Sequence, residues 1–133
     1  LTGYSSESPV HLLMELSKAG LCEIVASGYA VEEARRNLAR KGPGTALSAL
    51  DAALHGMVLV AEARGAVLNA AQSVGLSDPA DVPILAAAIQ CKADILVTGD
   101  RRAFGRLFRT RVSGVEVLTL RDALRRVVGI PLE

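Results

Sequence analysis

Apolar and polar positions along this chain follow two periods, and the change from one to the other marks its elements. Val31, Ala34 and Leu38 recur at helical spacing and form a core-facing stripe. Ile95-Leu96-Val97 is instead an unbroken, largely β-branched apolar run closed by Thr98-Gly99-Asp100, the pattern of a short buried strand followed by a turn. The whole chain read this way predicts the order helix, strand, helix, helix, strand, helix, helix, strand, helix, strand, helix. Punctuation sets the bounds. Ser8-Pro9 opens the first helix and Gly20 closes it, Cys22 to Ala26 forms the first strand, and Gly42-Pro43-Gly44 separates the second helix from a third at Thr45 to His55. Met57 to Val60 is a weaker strand, and Ala63 to Val74 a helix ended by Gly75. Val115 to Thr119 is the last strand, with a closing helix to about Val128. Strands separated by helices imply an α/β fold with a parallel sheet covered on both faces.

Three acids stand where such a fold can do chemistry. Asp100 follows the Ile95 strand, and in open parallel sheets ligands sit beyond the carboxyl ends of strands. It could equally cap the segment Arg101 to Leu107. Asp78-Pro79 looks like a helix cap with proline in the first helical position, so Asp81 falls at the third position, where an acid gains from the helix dipole alone. Glu33 lies one turn into the helix after the Cys22 strand, where it can face the two aspartates or pair with Arg36 on a solvated face. Glu32 has Arg35 and Arg36 three and four residues downstream and reads as a surface ion pair.

Carboxylates brought within about 4 to 6 Å repel and raise one another's pKa, so a cluster of three is unfavourable without a cation. Oxygen-only ligands select hard cations, and Mg²⁺ in particular is held by one or two carboxylates together with substrate phosphates. Such an ion activates water near neutral pH and neutralises charge on a phosphodiester. The chemistry implied is phosphate chemistry, with no catalytic histidine required.

The order apolar strand, Ser27, Glu33, then Asp81 leading into Ile84-Leu85-Ala86-Ala87-Ala88, then Leu96-Val97-Thr98-Gly99-Asp100 with Phe104 close behind, resembles the PIN-domain nucleases, which include toxin ribonucleases of the VapC type. The resemblance spans about Pro9 to Leu120. It implies a three-layer α/β/α sandwich with a parallel central sheet and a Mg²⁺- or Mn²⁺-dependent endoribonuclease. In that reading Glu33, Asp81 and Asp100 are catalytic and metal-binding, with Ser27 and the hydroxyl of Thr98 in support. RNA is then the substrate, and an antitoxin protein and a homodimer are partners it leaves open.

One feature of the family is missing. PIN domains begin with a central strand that carries a first catalytic Asp, whereas here Leu1 to Ser8 leads directly into the first helix and no acid precedes Glu7. The expectation is a single domain over residues 1–133, incomplete at its N-terminus, in a natural protein longer than this chain. A catalytically degenerate PIN-like domain that binds RNA or a protein partner is the alternative reading. A receiver-like phosphotransfer domain would need a lysine late in the chain, and the last one, Lys92, precedes Asp100.

Composition changes the picture little, and charge changes it more. With 133 residues, half of them apolar, the chain can bury a core of ordinary domain size. It has no signal-peptide pattern and no apolar run able to span a bilayer, so a cytoplasmic protein without membrane contact is expected. Cys22 and Cys91 lack paired metal spacing, and His11 and His55 have no companion motif. The net charge is +1, yet residues 1–99 carry seven basic against ten acidic side chains and residues 100–133 carry eight against four. Arg101, Arg102 and Arg106 follow Asp100 without an intervening acid and are candidate contacts to an RNA backbone. With two Tyr and two Phe, base stacking has few platforms.

Overall fold

A computed structural model of the chain describes residues 9–41 and 44–133. Glu7 and the approach from Leu1 to Ser8, on which the expectation of a missing first strand bears, lie outside the described residues, as do Gly42 and Pro43.

The elements run α1 (Pro9–Lys18), β1 (Val25–Ser27), α2 (Gly28–Lys41), α3 (Gly44–Leu54), β2 (Val58–Val60) and α4 (Gly65–Ser73). A 3-10 turn at Pro79–Asp81 then leads into α5 (Val82–Gln90). β3 (Ile95–Val97), α6 (Arg101–Phe104), a second 3-10 turn at Gly105–Leu107, β4 (Arg111–Val112), β5 (Val115–Leu118) and α7 (Leu120–Val128) complete the chain. β1 pairs with β2 in parallel, Val25 opposite Val58 and Ser27 opposite Val60. β3 pairs with β5 in parallel, Ile95 opposite Glu116 and Val97 opposite Leu118, while β4 lies antiparallel on the far side of β5. Helix α5 packs against both β1 and β3 and so joins the two sheets.

The α/β expectation holds, and its layers can be traced through β5. All four of its residues are buried, so both faces of this strand are covered. Successive side chains alternate between faces. Val115 and Val117 join the apolar core with Ala71 of α4, Leu85 and Ala86 of α5, Leu96 and Phe104. Glu116 points the other way, to α7, where its carboxylate takes both Nε and Nη2 of Arg126 at 3.0 and 2.6 Å. Sheet between α4/α5 and α7 gives the three layers. Helix α7 is capped at both ends: Thr119 Oγ1 accepts from the Asp122 N–H at 3.2 Å, and Gly129 closes it with φ +80°.

Two elements differ from the sequence reading. The first strand starts at Val25, because its partner β2 offers only three residues to pair with. Cys22 therefore lies half-buried in the connection after α1 and not in a strand. The β4–β5 hairpin was not expected at all. Ser113 and Gly114 both have positive φ, +48° and +87°, and Val112 pairs with Val115, which makes 113–114 a two-residue hairpin turn. The Ser-Gly dipeptide carried that signal, but a two-residue strand is too short to show an alternating pattern. Among the described residues no helix is long and apolar enough to cross a membrane.

Candidate metal centre

Each acid at the centre is placed by a local feature of its own segment. Asp100 follows β3, where Thr98 Oγ1 accepts the Asp100 N–H at 3.1 Å and folds the chain away from the sheet. Its side chain also caps α6: Oδ1 accepts from the Ala103 N–H at 3.0 Å. The capping and functional readings of Asp100 are compatible, because Asp100 caps α6 through Oδ1 while one of its carboxylate oxygens lies within 4.8 Å of Asp78 and Asp81. Asp78 behaves likewise. Its Oδ1 accepts from the Ala80 N–H at 2.9 Å and starts the 3-10 turn, with Pro79 in the position where a missing N–H costs nothing. Asp81 closes that turn and stands at the N-cap position of α5, yet its side chain makes no cap bond.

The consequence is a convergence of three aspartates. One carboxylate oxygen from each of Asp78, Asp81 and Asp100 lies within 4.8 Å of the others. Asp81 Oδ2 is buried without a hydrogen-bond partner. None of the ion pairs among the described residues involves these three acids. Burial, then the facing carboxyl of Asp100, then the charges of Asp100, Asp78 and Glu33 push Asp81 up to about 7. Asp100 is held below the usual carboxylate range, first by the Ala103 N–H and then by the proton it shares with Asp81. Two carboxylate oxygens that face each other are both acceptors, and a proton or a cation between them relieves their repulsion. The proton goes to Asp81, the acid that lacks a backbone donor. Three carboxylates that each bring an oxygen within 4.8 Å of the others, with Asp81 Oδ2 unpartnered in the interior, fit a hard divalent ion.

Glu33 stands outside that group of three. Its carboxylate takes the guanidinium of Arg36, the surface pairing foreseen from the sequence. It nonetheless lies near enough to the aspartates for its charge to contribute to the raised pKa of Asp81. Tyr29, one turn earlier on α2, reports the same field: burial, Glu33, Asp78 and Asp81 all raise its phenol, against Arg36. The start of α2 is fixed by two acceptors. Ser27 Oγ receives the Ala30 N–H at 3.2 Å and Glu62 Oε2 the Tyr29 N–H at 2.9 Å, so Ser27 supports the helix that carries Glu33.

The arginines after Asp100 are differently employed. Arg101 lies over the Phe108 ring, 5.9 Å from its centroid. Arg102 is exposed and its charge helps hold Asp100 ionised. Arg106 donates from Nη2 to the Val74 carbonyl at 2.8 Å. Arg109 binds Asp122 through Nε and Nη2 at 2.9 and 3.3 Å. Asp78 is the member of the cluster that sequence reasoning missed as a candidate ligand. Its role as a cap accounted for it, although the spacing Asp78-x-x-Asp81 across a helical turn puts both acids on one side.

Comparison with known proteins bears on the same residues. No curated protein matches the chain, and no solved structure does. A family model described as PIN domain matches residues 1–102, a span that includes Ser27, Glu33, Asp78, Asp81, Thr98, Asp100, Arg101 and Arg102. That match covers well over half of the chain, and the protein belongs to the PIN-domain family.

Proposed function

We propose that the protein is a metal-dependent endoribonuclease that hydrolyses RNA phosphodiester bonds, with Mg²⁺ or Mn²⁺ held at the aspartate cluster. The family points to nuclease chemistry in general. The observation that supports the finer reading is the approach of three aspartate oxygens to within 4.8 Å, with Asp81 Oδ2 buried and unpartnered and none of the three acids in an ion pair among the described residues. Asp78, Asp81 and Asp100 are the residues that would hold the ion. When bound, it supplies charge neutralisation at the scissile phosphate and lowers the pKa of a water.

The chain's own residues do the rest. The Ala103 N–H keeps one oxygen of Asp100 fixed, so the other is presented in a single direction. Thr98, through the Asp100 N–H, sets where that carboxylate begins. Glu33, whose charge reaches Asp81, would orient a water at the centre once substrate or ion draws it from Arg36. Arg101 and Arg102 are exposed, follow Asp100 directly and would take the RNA backbone, the first lying over the Phe108 ring and the second with its charge acting on Asp100. Arg106 belongs to the same exposed stretch, but one of its nitrogens is committed to Val74.

The test is cleavage of single-stranded and structured RNA with Mg²⁺ or Mn²⁺, by wild type and by Asp100→Asn. Loss of a ligand carboxylate should lower the rate by more than about 100-fold, beyond the 10–100-fold typical of outer-shell partners. Cleavage that continues in excess chelator, or that Asp100→Asn leaves intact, would refute the proposal.

A further inference from the structure

Asp78 and Asp81 belong to one stretch of chain and Asp100 to another, with the whole of α5 and β3 between them. Their mutual repulsion drives the two stretches apart, so something other than the carboxylates must hold them in register. The connection from α4 to Asp78 has no helix or strand of its own: it leaves α4 at Val74, turns at Gly75 with φ +81° and runs through Leu76 and Ser77. Two hydrogen bonds fasten it to the stretch after Asp100. Arg106 Nη2 donates to the Val74 carbonyl at 2.8 Å, and Ser77 Oγ donates to the Arg102 carbonyl at 3.3 Å.

The first bond is the better suited to carry load. The Val74 carbonyl lies at the C-terminal end of α4, where carbonyls lack helical partners and the helix dipole favours a cation. A guanidinium satisfies both. It also lies close against the turn, since a Cβ at Gly75 would sit 3.8 Å from Arg106 Nη2. Leu76 and Leu107, one on each stretch, pack against the apolar core and keep the two backbones near each other without fixing their offset. A directional bond is what fixes an offset.

We infer that Arg106 is a positioning residue for the metal centre: its bond to Val74 sets the distance of Asp78 and Asp81 from Asp100 and so the affinity of the site for a divalent ion. The inference rests on the metal-centre reading proposed above. It also gives Arg106 a role that the charge pattern alone would not, because a basic residue after a catalytic acid reads first as a phosphate contact.

Electrostatics supplies a discriminating sign. Removal of a positive charge near a cation site should tighten cation binding, whereas loss of a positioning bond should weaken it. The experiment is titration of the RNA-free full chain with Mn²⁺, followed by calorimetry or by the Mn²⁺ paramagnetic resonance signal. Wild type, Arg106→Ala, Arg106→Lys and Ser77→Ala are compared, with the thermal midpoint of each metal-free protein measured alongside. Arg106→Ala should weaken Mn²⁺ binding by about 10-fold, the scale of an outer-shell partner. Arg106→Lys, which keeps a donor and the charge, should recover part of that loss. Ser77→Ala, which cuts the second tether and leaves every charge in place, should weaken binding by a smaller factor and keeps the test open if Arg106→Ala does not fold. Unchanged or tighter binding in folded Arg106→Ala, or in Ser77→Ala if that variant alone folds, would overturn the inference while the metal centre stands. A wild-type protein that binds no Mn²⁺ would overturn the metal centre and the inference with it.

Discussion

The behaviour of Asp81 follows from what its neighbours already have. Asp78 and Asp100 each spend one oxygen on a backbone N–H, at 2.9 and 3.0 Å, whereas Asp81 spends none and keeps Oδ2 buried and unpartnered. Its pKa of about 7 therefore lies above its ordinary value near 4. An acid raised in this way binds its proton more tightly in the native state than in the unfolded one, so its contribution to metal-free stability is present below about pH 4 and is lost as pH rises through about 7. In chelator, the thermal midpoint of wild type should fall between pH 5 and pH 8 relative to Asp81→Asn, which has no proton to lose. Saturating Mg²⁺ should remove the fall, because the ion takes the proton's place. Parallel pH profiles for the two proteins in chelator would show that Asp81 does not titrate there.

Residues also show what could be read before the fold was known. Asp81 and Asp100 were legible as candidates because a proline-led turn and a closing Thr-Gly-Asp fix where each acid sits on its element. That they meet is a property of the sheet, and no local pattern contains it. Asp78 was hidden by its own explanation, since a cap needs one carboxylate oxygen and nothing in the sequence says what the other does. Thr98 and Ser27 lie where their spacing put them, each as an acceptor for a backbone N–H.

Among the elements, α6 and the 3-10 turn after it connect the centre to the core. Asp100 begins α6 and Phe104 ends it, 1% exposed and packed with Leu85, Leu96 and Val117. Burial of that ring holds the short helix in place, and with it the direction of the Asp100 carboxylate. Phe104→Ala should destabilise the protein by about 3–5 kcal/mol, the range for an aromatic removed from a core, measured by urea unfolding. A loss below about 1 kcal/mol would mean that the site is not anchored through this ring. Helices were well read because their apolar stripes are long. The β4–β5 hairpin was not, because β4 has two residues and its signal reduces to Ser113-Gly114. The first strand was read too long for a different reason: Cys22 and Ile24 extend the alternating pattern ahead of Val25, where the paired register with β2 begins.

Across the whole molecule, charge is sorted by use. Arg109 and Arg126 bind Asp122 and Glu116 near the sheet, and Arg125 binds Glu133, so much of the basic surplus after residue 100 is structural. Arg101 and Arg102 have no such acid partner in the described ion pairs, both follow Asp100 directly, and the charge of Arg102 acts on it. RNA binding in chelator, where no cutting is expected, should weaken with rising salt. Replacement of either arginine by alanine should reduce the slope of log affinity against log salt by about 1. An unchanged slope for both would place the RNA elsewhere on the molecule.

At the same scale, the proposed centre has segments far apart in sequence share one divalent ion. The most direct measurement is the anomalous scattering of Mn²⁺ in crystals of the protein. A single strong peak is expected at coordination distance, about 2 to 2.5 Å, from one oxygen each of Asp78, Asp81 and Asp100. Crystals soaked to saturation with no peak among these three carboxylates, or with a peak on other residues only, would contradict it.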